Sequence, residues 1–153
     1  MYVLHVTNIP MKSIADPTPL PVKTILIAED DVDDQDFITE ALLQIDNSFT
    51  IQTVLNGTHV LTYLEKLSDT QMPQLIILDY HLPELDGADV LQLLTQNPRY
   101  APIPKIVWSN SNSPHYKNRS LEQGAALYMV KPSTITAIED LARQMLGFCK
   151  ATA

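Results

Sequence analysis

Two hydrophobic periods alternate along this chain. Short unbroken aliphatic runs read as strands buried on both faces, and each is followed by apolar residues spaced three and four apart, as on an amphipathic helix. The runs fall at residues 24–28, 50–55, 75–78, 105–108 and 126–130. The first helix runs from Asp33 or Asp34, either of which can cap it, to about Asp46, with Phe37, Ile38, Ala41, Leu42 and Ile45 on its apolar face. Thr58 caps a second helix that buries Val60, Leu61, Leu64 and Leu67, and a third, 88–96, buries Val90, Leu91 and Leu94. Pro114 opens a fourth helix whose large apolar residues are little more than Tyr116 and Leu121, so it should be held loosely. The last, 134–148, buries Ile135, Ile138, Leu141, Ala142, Met145 and Leu146. Five strands alternating with five helices over short links predict an α/β fold, a parallel sheet with helices on both faces.

The remainder of the chain adds little to that frame. Residues 1–22 show no sustained period, and Pro10, Pro17, Pro19 and Pro21 exclude a long helix there. They read as an extended or flexible arm, open to covering the domain or mediating homodimer contacts, with Met11 an alternative start. The domain itself spans 23–150, and 151–153 form a tail. No run of about 18 apolar residues exists to cross a membrane, and the first ten residues lack the basic start and apolar core of a secretory signal. A lone cysteine, Cys149, allows no internal disulfide and fits a reducing compartment. These features point to the cytoplasm. A formal charge of −8, with basic residues scattered singly, argues against a nucleic-acid surface.

The chemistry collects at one place. Right-handed crossovers put the carboxyl ends of all the strands on the same edge of the sheet, where open α/β folds bind ligands. Glu29 and Asp30 follow the first strand, Asp79 the third, Ser109 the fourth and Lys131 the fifth. Two full charges about 5 Å apart repel by roughly 3 kcal/mol at an effective dielectric near 20, so three clustered carboxylates need a proton or a cation. One lysine offsets only part of that charge. Oxygen-only ligands favour a hard divalent ion such as Mg2+, which completes its shell with water and phosphate oxygens. Such an edge is suited to phosphoryl transfer to or from a protein group.

The motif set resembles a response-regulator receiver domain, the phospho-acceptor module of two-component signalling. The likeness runs from about Val22 to Lys150. It rests on the acidic pair after strand one, on Asp79 with Leu82-Pro83 and Asp86-Gly87 after strand three, on Ser109, and on Lys131-Pro132. The resemblance implies a flavodoxin-like, doubly wound (βα)5 sheet of strand order 2-1-3-4-5. It also implies that Asp79 accepts a phosphoryl group from a phosphohistidine on a sensor histidine kinase or phosphotransfer protein. Asp30 and Asp79 would ligate Mg2+ directly, Glu29 through water, and the backbone carbonyl of His81 would add an oxygen. Lys131 would pair with Asp79 and then with the phosphoryl oxygens. Ser109 would donate its hydroxyl to the phosphoryl group, Tyr128 would act as the switch aromatic, and His81 and Ser111 would tune the phosphoryl lifetime.

Blander roles stand beside these. Asp31, Asp33 and Asp34 read as capping or solvated acids, Lys131 as a surface lysine and Tyr128 as core. Trp108 and Asn110 depart from the commoner pattern, being bulkier than the residues that usually flank the strand-four hydroxyl. With no output domain in view, the chain reads as a stand-alone regulator acting on a protein target, assisting its own phosphorylation and dephosphorylation without being an enzyme in the usual sense. A Mg2+-dependent phosphohydrolase of the haloacid dehalogenase type needs a second acid where His81 stands. A flavin binder needs a Gly/Ser/Thr-rich loop where Glu29 and Asp30 stand. A phosphorylation-independent pseudo-receiver is the third alternative.

Overall fold

A computed structural model describes residues 23–149. The arm assigned to 1–22, the last residue of the domain and the 151–153 tail lie outside the described residues. The order of elements is β1 (Lys23–Ala28), α1 (Val32–Ile45), β2 (Phe49–Val54), α2 (Gly57–Glu65), β3 (Leu75–Asp79), α3 (Gly87–Gln96), β4 (Lys105–Ser109), α4 (Pro114–Glu122), β5 (Leu127–Val130) and α5 (Ile135–Leu146). A single 3-10 turn, Asp69–Gln71, precedes β3. The strands form one parallel sheet in the order β2-β1-β3-β4-β5, the flavodoxin-like arrangement expected.

Strand alternation divides the core in two. Leu26, Ala28, Ile76, Leu78 and Val107 face α2 and α3, where Val60, Leu64, Val90, Leu91 and Leu94 are buried. Ile25, Ile27, Leu75, Ile77, Ile106 and Trp108 face α1 and α5, against Ile38, Ala41, Leu42, Leu141, Ala142 and Met145. Because side chains alternate with period two, the register also decides which strand-end residues share a face. Ile27 pairs with Ile77, so two residues further on Glu29 and Asp79 both emerge on the α1/α5 side.

Several boundaries and faces differ from the expectation. The cap of α1 is Asp31, not Asp33 or Asp34, because its carboxylate accepts the backbone N–H groups of both. Asn56, not Thr58, caps α2 by accepting from the backbone N–H of His59. Phe37, Ile45 and Ile135 are 50%, 40% and 72% exposed rather than buried. Their apolar stripes are wider than the strip of sheet that covers them, and Phe37 and Ile135 stand at the uncovered rim between α1 and α5.

The loosely held helix is α4, where Ser120 alone is buried. Polar and aromatic ties supply what apolar burial does not. Tyr116 stacks on Tyr80 with ring centroids 4.3 Å apart. Arg119 donates to the Tyr80 phenol, to Asp86 and to Asp89, joining α4 to the loop that follows β3 and to the first turn of α3.

Candidate functional site

Three carboxylates meet where β1 and β3 end. Glu29, Asp30 and Asp79 each offer an oxygen, and these oxygens lie within 4.8 Å of one another. Glu29 is fully buried and Asp79 nearly so, whereas Asp30 is exposed. That mixture follows from geometry: Glu29 and Asp79 continue the inward face of their strands, while Asp30 starts the turn into α1. Burial pushes the Glu29 carboxyl from 4.5 up to about 8, an effect that the ammonium of Lys131 opposes and the charge of Asp79 reinforces.

Lys131 enters from the end of β5 with its side chain only 6% exposed. Its Nζ stands 2.7 Å from Glu29 Oε2, 2.8 Å from Asp79 Oδ2 and 2.9 Å from Asp34 Oδ2. Hydrogen-bond geometry is met toward Asp79 and Asp34, and the Glu29 contact is an ion pair. Burial alone would lower the affinity of this ammonium for its proton. Its contacts with Asp79, Glu29 and Asp34 reverse that and hold it above the ordinary lysine range. The ring of Trp108 lies 4.8 Å from the same nitrogen, close enough for a cation–π contact.

Asp79 is fixed from both sides, since its Oδ1 accepts from the backbone N–H of His81 at 2.9 Å while Oδ2 faces Lys131. The loop beyond it turns sharply. Gly87 passes so close to the end of β3 that a Cβ there would sit 2.4 Å from the carbonyl oxygen of Asp79, and its N–H donates to the carbonyl of Tyr80. A side chain at that position would displace the backbone of Asp79 itself. The His81 ring is exposed, two residues beyond Asp79, and lies edge-on to Tyr80 and Tyr116.

Ser109 ends β4 fully buried, and its hydroxyl oxygen accepts from the N–H of Ser111 at 3.2 Å. The Ser111 hydroxyl oxygen accepts in turn from the N–H of Ser113, the residue that caps α4. Tyr128 points inward, 8% exposed, and donates its phenol hydrogen to the Ser111 carbonyl at 2.6 Å. It is therefore core and polar latch at once, tying β5 to the β4–α4 loop. Glu29, Asp30, Asp79 and Lys131 thus converge directly, while Ser109, Ser111 and Tyr128 form an adjoining chain of hydrogen bonds.

Asp34 is the residue that sequence reasoning passed over. An acid in the first turn of a helix reads as a cap or a solvated charge, and only the packing of α1 beside α5, next to the residue that follows β5, reveals its contact with Lys131.

Comparison with known proteins gives this arrangement a family. The model of the response regulator receiver domain matches residues 25–143, and the chain belongs to that family. A two-component response regulator of rice, ORR3 from Oryza sativa subsp. indica, is 29% identical over 128 residues, covering 84% of this chain and 94% of its own. Among solved structures, the phosphorylated cyanobacterial phytochrome response regulator RcpA has a TM-score of 0.76 at 27% identity, over 86% of this chain and 96% of that one. A response regulator in red light signaling of R. palustris has a TM-score of 0.72 at 28% identity, over the same shares.

Proposed function

We propose that this receiver domain, residues 23–150, accepts a phosphoryl group on Asp79 from a phosphohistidine of a sensor histidine kinase or phosphotransfer protein. The observation that carries the reading is the convergence of Asp79, Lys131 and two further carboxylates at one sheet edge. The carboxylate of Asp79 forms a bond to phosphorus as the phosphorus–nitrogen bond of the donor breaks, and the departing imidazole keeps the electron pair and takes up a proton. Lys131, already 2.8 Å from Asp79, supplies a positive charge to the phosphoryl oxygens.

Three oxygen donors within 4.8 Å, one of them raised in pKa by burial, form a set that suits a hard divalent cation. Asp30 and Asp79 would hold Mg2+, with Glu29 through water and the His81 carbonyl completing the protein's share. The ion supplies charge neutralisation for the incoming phosphoryl group. Receiver domains as a class bind Mg2+ or Mn2+ at an acidic pocket, which supports the same assignment.

Phosphorylation adds about −1.5 to −2 charge at this edge. Ser109 donates its hydroxyl to the new oxygens, and doing so draws on the loop whose Ser111 carbonyl holds Tyr128. The loop, α4 and Tyr128 then move as one unit and change a protein-binding face. His81, exposed two residues beyond Asp79, and Ser111, two residues beyond Ser109, tune the phosphoryl lifetime. The module works in the cytoplasm, where the kinases it would answer to keep their phosphohistidines.

The test is to incubate the protein with Mg2+ and acetyl phosphate and to measure intact mass. A gain of one phosphoryl group is expected in the wild type and none in Asp79→Asn. An equal gain in both would remove Asp79 as the acceptor.

A further inference from the structure

Lys131 faces one more carboxylate than the acceptor reading needs. Glu29 and Asp79 both belong to the group of three that can hold a cation, whereas Asp34 lies outside it. An ammonium has three N–H groups, and here three carboxylates surround it. A divalent cation drawn into the triad therefore competes with Lys131 for two of its three partners. Asp34 is the anion it leaves behind.

The location of Asp34 suits that duty. It stands in the first turn of α1, 29% exposed at its side chain, while Lys131 heads the link from β5 into α5. α1 and α5 pack side by side on the same face of the sheet, so the contact bridges two elements whose relative position the core fixes. Trp108 closes another side of the ammonium with its ring at 4.8 Å. Asp34 and Trp108 together confine the lysine without belonging to the cation site.

We propose that Asp34 is a positioning residue, holding Lys131 in place while a divalent cation draws on Asp79 directly and on Glu29 through water. This rests on the acceptor reading above. Without Asp34, cation binding must strip the buried ammonium of its carboxylate partners or leave it competing for them. Either way the cation binds less tightly. A part-buried charged hydrogen bond worth about 1 kcal/mol corresponds to about fivefold in affinity.

The experiment is a Mg2+ titration by calorimetry of the wild type, Asp34→Asn, Asp34→Glu and Asp33→Asn. The emission of Trp108, the one tryptophan in the chain, is followed in parallel. Asp34→Asn should raise the Kd for Mg2+ about fivefold and shift the Trp108 emission of the cation-loaded protein, because the ammonium beside the indole loses its anchor. Asp34→Glu, keeping the charge, should recover most of both. Asp33→Asn removes the same charge from an exposed neighbour that does not touch Lys131, and should leave Kd within about 1.5-fold by ordinary surface screening. Equal affinity in wild type and Asp34→Asn overturns the proposal. An Asp33→Asn effect as large as that of Asp34→Asn also overturns it, since the cause would then be the general field. Absence of Mg2+ binding in the wild type overturns the acceptor reading and this inference with it.

Discussion

Two lysines lie buried in the same sheet at opposite edges. Lys131 leaves the carboxyl end of β5, and Lys105 opens β4 at the other side of the domain. Their surroundings differ in kind. Lys131 is enclosed by Glu29, Asp79 and Asp34, and these contacts outweigh burial and tighten its hold on the proton. Lys105, only 2% exposed, donates to two backbone carbonyls, Tyr100 at 2.7 Å and Ala101 at 3.1 Å. Among the described residues no carboxylate offsets burial there, and its pKa falls from 10.5 to about 8. Burial alone therefore says little about what a lysine does. Side-chain carboxylates around an ammonium are groups that a phosphate or a metal can also engage, whereas backbone carbonyls of a turn only hold it in place.

Removing each cation should separate the two roles, and the larger effect belongs to Lys131. Lys131→Met leaves three carboxylates clustered without their counter-charge. The metal-free protein should lose about 3 kcal/mol of stability, the usual cost of breaking a buried ion pair from one side. Phosphorylation by acetyl phosphate should slow by about 100-fold, because the positioned charge on the phosphoryl oxygens is gone. Urea denaturation with and without Mg2+ and initial rates by mass spectrometry check both. Mg2+ should recover part of the lost stability by replacing one cation with another. Loss of rate with unchanged stability would show that the carboxylates do not depend on this lysine in the resting fold.

Lys105→Met should act in the opposite direction. The ammonium is buried without a carboxylate, so a methionine of similar length should stabilise the fold by about 2 kcal/mol at pH 7. The pH dependence has a definite sign. Between about pH 8 and 10.5 the unfolded chain holds the Lys105 proton and the folded chain sheds it, so wild-type stability rises with pH through that window. Fully expressed, this single group contributes about 3 kcal/mol of that rise. The variant lacks it, and its advantage at pH 7 should shrink as the pH approaches 10. Paired denaturation curves at pH 7 and 10 read the difference directly, and a constant gap would mean that Lys105 keeps its proton throughout.

The two lysines also mark where sequence reasoning reaches and where it stops. Lys131 was legible because a strand end in a parallel sheet has a known location, and Pro132 beside it fixed the motif. Glu29, Asp30, Asp79 and Ser109 were legible for the same reason: unbroken aliphatic runs locate the strands, and topology gathers their ends. Asp34 was not, because a helix reports its own periodicity but not which neighbour its first turn meets. Lys105 looked like the polar start of a strand, and nothing local showed that the turn after α3 would fold its carbonyls over it. Phe37 and Ile135 failed differently. Their spacing placed them on apolar faces, but whether the sheet reaches far enough to cover a face is a property of the assembled layers.

Arg119 supplies the mild end of the same comparison. It faces two carboxylates where Lys131 faces three, Asp89 at 3.0 Å and Asp86 at 3.4 Å, and it adds the Tyr80 phenol at 3.2 Å. Unlike Lys131 it is 37% exposed, so solvent screens the pairs and each is worth about 0–1 kcal/mol. Arg119→Met should therefore cost less than about 1 kcal/mol of global stability, while its local effect is larger than that suggests. With only Ser120 buried on α4, the helix relies on Arg119 and on the Tyr116–Tyr80 stack to stay against the loop after Asp79. Amide exchange in α4 should quicken by roughly fivefold in the variant while β1 and β3 stay unchanged. The stack alone would be sufficient if α4 exchanged at the wild-type rate. Faster exchange confined to α4 would mean that an exposed cation sets how firmly this helix is coupled to the loop after Asp79.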